Sequence, residues 1–174
     1  MQSQLEQHIE AYDGKAVTLL SQAMQACRGH PGCLDDVVGL CFDARPLISE
    51  GATWILKAEV ENGTTVPPHL VARIAGDLDR LSSWQAHLHL CQSFDHLACN
   101  AEQTAEFFAW ADKLRTHARP FLRAWSLHVL VKISLEFEGF RQAAERALIA
   151  GENDQAASVR ARARKLRDLV GSKP

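Results

Sequence analysis

A marked excess of either charge is missing from this chain of 174 residues, in which 19 Lys and Arg stand against 21 Asp and Glu for a net charge of −2. Neutralising a phosphate backbone needs a strong basic surplus, so nucleic acid is not expected as the main partner. Long apolar runs are missing as well. The stretch FLRAWSLHVLVKISLEF is broken by Arg123, His128 and Lys132, whereas a bilayer-spanning helix needs about 20 mostly apolar residues. The opening MQSQLEQHIEAYDG is polar and acidic, without the basic and then apolar regions of a secretory signal. No membrane association is expected, and the expected compartment is the cytoplasm. Missing too are a GxSxG elbow, a P-loop, a GxGxxG turn and an HExxH helix. Catalysis therefore has no anchor, and neither enzyme chemistry nor a cofactor is expected.

What is present is an ordinary globular composition, 47% hydrophobic and 23% charged, rich in residues that lose little on entering a helix. β-Branched residues come singly rather than in alternating runs, which disfavours strands. Gly14, GHPG at 29–32, Arg45-Pro46, ENGTTVPP at 61–68, Ser82-Ser83, Asn100, Arg119-Pro120, Gly139 and GEND at 151–154 punctuate the chain. They predict ten helices over 3–13, 15–28, 32–43, 46–61, 68–81, 83–97, 102–117, 120–137, 139–150 and 155–170. Prolines 31, 46, 68 and 120 suit first helical turns, where a missing N–H costs nothing.

The apolar residues recur at one helical spacing. Ile48, Ala52, Ile55 and Glu59 form a stripe; Leu122, Ser126, Val129 and Ile133 repeat it 74 residues on, and Val159, Ala163, Leu166 and Val170 a further 37. The intervening copy falls near position 85, where Trp84, Leu88 and Cys91 supply it with a one-residue shift. A two-helix unit of this length cannot bury its apolar face alone, so neighbours must stack. Asp154-Gln-Ala-Ala-Ser-Val159-Arg160-Ala-Arg-Ala163-Arg-Lys-Leu166 resembles the second helix of a HEAT repeat, with a turn aspartate, Val-Arg and then small and apolar residues at helical spacing. RPFLRAWSLHVLVKI resembles it more loosely, with His117 where the turn aspartate belongs.

The resemblance to HEAT and armadillo-like proteins, small and bacterial, implies an all-α fold: an α-α superhelix of about five antiparallel helix pairs in one domain over 1–174. Residues 45–170 carry the clearer repeats and 1–44 a divergent N-terminal cap. It also implies that Arg160 pairs with Asp154, and that partners bind the side lined by second helices. On that side Trp54, Lys57, His87, Arg123, His128, Arg160, Arg164 and Arg167 are the candidate partner-binding residues. A protein or peptide partner is expected, an acidic one if the basic last helix takes part. From Asp154 to Pro174 six basic residues face two acidic ones, a local balance of +4; a polar outer face on a terminal repeat explains the same charges.

Some HEAT-like proteins are alkylpurine DNA glycosylases that use tryptophans and an aspartate. DNA binding or repair is thus the alternative, with Trp84, Trp110, Trp125 and Asp112 as its only echo. Tryptophans buried between helices would remove it. His87, His89, Cys91 and His96 cluster in AHLHLCQSFDH, but on a helix His87 and Cys91 point one way and His89 and His96 another, so no metal is expected. Cys27-x2-His30-x2-Cys33 offers three ligands only. The acidic pairs Asp35-Asp36 and Asp77/Asp79 read as solvated faces. Five cysteines, an odd number, and an expected cytoplasmic setting argue against a disulfide framework. A bridge between Cys27 and Cys33 is geometrically possible, while the simpler expectation is five reduced cysteines, Cys41 and Cys91 in the core.

Overall fold

A computed structural model describes residues 4–172 and shows an all-α protein with ten helices and no strand among those residues. They are α1 (Gln4–Glu10), α2 (Val17–Cys27), α3 (Cys33–Cys41), α4 (Pro46–Glu61), α5 (Pro68–Asp77), α6 (Trp84–Ser93), α7 (Ala101–Leu114), α8 (Pro120–Glu136), α9 (Arg141–Glu152) and α10 (Ala157–Gly171). Each falls inside or within two residues of a segment that the punctuation predicts. Ser3, the expected first helical residue, and Lys173, one of the six terminal basic residues, lie outside the described residues. No described helix is long and apolar enough to cross a membrane.

The ends are set by local chemistry. Pro46, Pro68 and Pro120 open α4, α5 and α8. Asn100 opens α7 with a capping box: its side chain accepts the Gln103 N–H at 2.9 Å while Gln103 Oε1 accepts the Asn100 N–H at 3.0 Å. One turn type precedes four second helices. The Asp13 carboxylate accepts the backbone N–H of Lys15, Asp43 that of Arg45, His117 Nδ1 that of Arg119, and Asp154 that of Ala156, at 2.8 to 3.0 Å. His117 thus does the backbone work of the aspartate it replaces. At Asp13 the turn also takes the Ala16 N–H, which explains why α1 and α2 are shorter than the apolar pattern alone predicts. Ser83 caps α6 instead, accepting from Ala86 at 3.0 Å.

The chain forms two compact units, residues 1–99 and 100–174. In the first, α1 pairs with α2 and α3 with α4, while α6 packs mainly on α4. Helix α4 is therefore the hub, with Ile48, Ala52, Ile55, Leu56 and Val60 all buried. Two helices approach its backbone closely: a Cβ on Gly51 would lie 2.7 Å from Ile9 Cγ2 and 3.0 Å from Leu20 Cδ2. In the second unit α8 is the hub, touching α7, α9 and α10. Its buried residues Leu122, Ala124, Leu127, Val129, Leu130, Val131 and Ile133 surround the axis, as expected of a helix enclosed on most sides.

One sequence expectation is corrected. Residues Ile48, Ala52 and Ile55, Leu122, Ser126 and Val129, and Val159, Ala163 and Leu166 are all buried. The missing copy, however, is Ala86, Leu90 and Ser93, each 0% exposed, while of the three expected residues Cys91 is buried and Trp84 and Leu88 are half-buried. The shift runs one residue the other way because the α6 copy contains small and polar residues. Ser93 is buried only because its hydroxyl donates to the His89 carbonyl at 2.8 Å, and hydropathy alone passes over such a position.

Candidate partner-binding surface

Helices α8 and α10 lie side by side, 37 residues in register. At their N-terminal ends Arg123 and Asp154 form a two-pronged ion pair, Nη2 to Oδ1 at 2.8 Å and Nε to Oδ2 at 2.9 Å, with both side chains mostly buried. Arg123 also donates to the His117 and Ala118 carbonyls, and Arg160 donates to those of Asp154 and Gln155. The expected Arg160–Asp154 pairing is thereby corrected. The Asp154 carboxylate belongs to the arginine of the preceding pair, and Arg160 instead binds the backbone of its own turn. Arg123 beside it holds the Asp154 carboxyl below the usual carboxylate range.

On α8, Phe121, Trp125, His128 and Lys132 follow at intervals of four, three and four, which puts them on one face. The corresponding face of α10 carries Ser158, Arg162, Lys165 and Leu169. The two faces meet where the Arg162 guanidinium lies 4.0 Å from the centre of the Trp125 ring and His128 packs edge-on against the same ring at 5.1 Å. Phe121 is 62% exposed, the most exposed of the described large apolar residues, and Leu169 is 40% exposed. None of these eight positions holds a carboxylate. In the first unit the matching face of α4 carries Leu47, 44% exposed, Gly51, Trp54 and Ala58, without a cation.

The other side of α10 differs in kind. Ala124, Leu127 and Val131 of α8 are buried, with Leu127 beside Gly151 and within reach of Ala163. Their counterparts 37 residues on are Ala161, Arg164 and Asp168, all exposed. Charge on this flank of α10 keeps it solvated without any ligand.

The expected binding residues scatter over several roles. Arg123 and Arg160 hold turns together, and Arg167 clamps α9 to α10 through Glu145 at 2.7 Å and Glu152 at 2.9 Å. Lys57 pairs with Glu61 at 2.9 Å along its own helix. Trp54, His87 and His128 are half-buried and Arg164 is exposed. Of the eight, His128 alone stands on the α8/α10 stripe. The stripe's other members went unread because they flank the apolar positions by about a quarter turn; the 37-residue spacing of Trp125 and Arg162 was the available signal.

Elsewhere, no cluster of three or more His, Cys, Asp or Glu among the described residues is arranged to hold a metal ion. His89 instead packs against α4, its Nδ1 3.1 Å from the Thr53 hydroxyl, and burial holds its pKa down to about 4, with the charge of Lys57 adding to the effect. Cys91 and Cys41 are buried, which pushes both thiols up. Cys27 and Cys33 form a disulfide across the α2–α3 turn, with Cα atoms 5.5 Å apart. This corrects the expectation of five reduced cysteines: the two tight turns of CRGHPGC, with the His30 N–H bonded to the Cys27 carbonyl and the Cys33 N–H to that of His30, bring the two together. Of the tryptophans, Trp110 is 3% exposed and Trp84 and Trp125 are half-buried. No protein-family model, curated protein or solved structure matches the chain.

Proposed function

We propose that this chain is a small helical-repeat scaffold of the HEAT type, a superhelix of helix pairs, that binds a protein or peptide through the side lined by its second helices and carries out no chemistry. The observation that supports this best is the in-register packing of α8 on α10. Burial recurs there 37 residues apart, a turn aspartate ties one pair to the arginine of the pair before, and Phe121, 62% exposed, shares a face with Trp125 and Arg162. Aromatic and arginine side chains on a rigid helical face supply contact area and directed charge at little entropic cost. The Cys27–Cys33 bridge argues against a cytoplasmic setting, since that compartment keeps thiols reduced.

A DNA-binding or repair role would need open tryptophan faces on a basic groove. Trp110 is buried and one face of Trp125 is covered by Arg162, which favours the protein partner. The test is affinity capture from the source cells followed by hydroxyl-radical footprinting of the bound chain. Protection concentrated on α8 and α10, with α7 and α9 unchanged, is the expected result. Protection confined to first helices would refute the reading.

A further inference from the structure

We infer that the Cys27–Cys33 disulfide is a modification site, at which a small aminothiol becomes bonded to Cys33. The exchange alters the chain and turns over no substrate, so it stands apart from the scaffold reading and does not depend on it. Access distinguishes the two cysteines. Cys27 is 7% exposed at the end of α2, whereas Cys33 is half-buried at the first position of α3. Two recesses flank the bridge. One, of about 310 Å³, is bordered by Arg28, His30, Cys33 and Asp35 but not by Cys27. The other, of about 250 Å³, is bordered by both cysteines, His30 and Asp36. A thiol that enters the first recess meets Cys33 and not Cys27, and access of this kind decides which sulfur is attacked. The turn is also closed without the bridge. The Arg28, His30 and Cys33 N–H groups bond to the carbonyls of Met24, Cys27 and His30, so opening the short loop leaves α2 and α3 in place.

Charge selects the thiol. In the first recess Arg28 and Glu59 cancel each other, paired at 2.8 Å. There remain the Asp35 carboxylate, 3.3 Å from the exposed His69 ring, and that of Asp36, which is exposed and has no ion pair among the described residues. An ammonium group beside the thiol is attracted there, and a carboxylate is repelled. The thiolate attacks Cys33 Sγ, the S–S bond breaks and its electron pair leaves on Cys27 Sγ, so the aminothiol sulfur is oxidised and Cys27 is reduced. The proton follows the same route. The exposed His30 imidazole borders both recesses and makes no side-chain hydrogen bond among the described residues. It takes the proton of the incoming thiol and returns it to the Cys27 thiolate.

The test treats the folded, full-length protein at low ionic strength with cysteamine or with thioglycolate, and quenches early with iodoacetamide. Trypsin cuts after Arg28, so the two cysteines fall in different peptides for mass spectrometry. The expected product carries cysteamine on Cys33 and the alkyl group on Cys27. Per thiolate, cysteamine should react about fivefold or more faster than thioglycolate, and the gap should narrow in Asp36→Asn. His30→Asn should slow the cysteamine reaction about tenfold near pH 7 but not near pH 9.5, where the thiol ionises unaided. Circular dichroism checks that both variants are folded. Alkylation of both cysteines before any thiol is added, a mixed disulfide on Cys27, or equal rates for the two thiols in the wild type would overturn the inference and leave the scaffold reading intact.

Discussion

Gly51 shows how a single atom sets the spacing of three helices. A Cβ there would press on Ile9 and Leu20, both 0% exposed and unable to swing aside. Gly51→Ala is expected to lower stability by about 1–2 kcal/mol, the overpacking cost outweighing the gain in helix propensity. Gly76 lies in α5 with nothing within 4 Å of its Cβ position, so Gly76→Ala should raise stability by up to about 1 kcal/mol. Urea denaturation of the two variants checks both signs. His89 is the second residue whose setting has a measurable consequence. Its pKa is about 4 when folded, against 6.5 ordinarily, so between those values the unfolded chain binds more protons and stability falls as pH falls. From pH 6.5 to 5 this costs about 1.5 kcal/mol. The groups facing His89 from α4 are Lys57, Glu61 and the Glu50 backbone, and Glu50, whose own pKa is raised by burial, acts in the opposite sense. Denaturation at the two pH values should show that His89→Gln removes most of the acid sensitivity. An unchanged pH dependence would mean that the imidazole is solvated.

At the scale of the element, the tie between successive pairs is the Arg123–Asp154 contact. Each partner keeps the other satisfied in a site mostly shielded from water, so Asp154→Ala, which also removes the bond to the Ala156 N–H, should cost about 2 kcal/mol. A double-mutant cycle with Arg123→Ala should return a coupling of about 1–2 kcal/mol. Because the folded carboxyl pKa is depressed, this contribution is complete above the ordinary value of 3.8 and is lost as pH falls below it.

The elements themselves were readable because their boundaries rest on local chemistry: prolines at first turns, Asn100 with Gln103, and turn aspartates two residues before a backbone donor. The register of α6 was not, since Ala86 and Ser93 enter the core by size and by a hydroxyl bonded to its own helix, neither of which hydropathy detects. Arg123, Arg160 and Arg167 were readable as arginines beside a core stripe. Their engagement with turns and with α9 depends on residues five to 31 positions away, which no periodicity within a helix reveals.

At the scale of the whole molecule, one spacing organises what the helices bury and what they leave bare. In α8 the flank at Ala124, Leu127 and Val131 is buried, and in α10 the same flank has turned to Ala161, Arg164 and Asp168. The charge that made the last helix conspicuous in the sequence is thus divided. Arg160 and Arg167 hold structure, Arg164 keeps a flank wet, and Arg162 joins Trp125 on the stripe. Which side chains share that face is therefore set by where one helix lies along the other. Nuclear Overhauser spectroscopy of the isotope-labelled protein measures that alignment directly. Cross-peaks are predicted between the Leu127 and Ala163 methyl groups and between the Trp125 ring and the Arg162 side chain, whose protons should be moved upfield by the indole. Arg162 resonances at random-coil positions, with no cross-peak joining α8 to α10 at this register, would contradict the account.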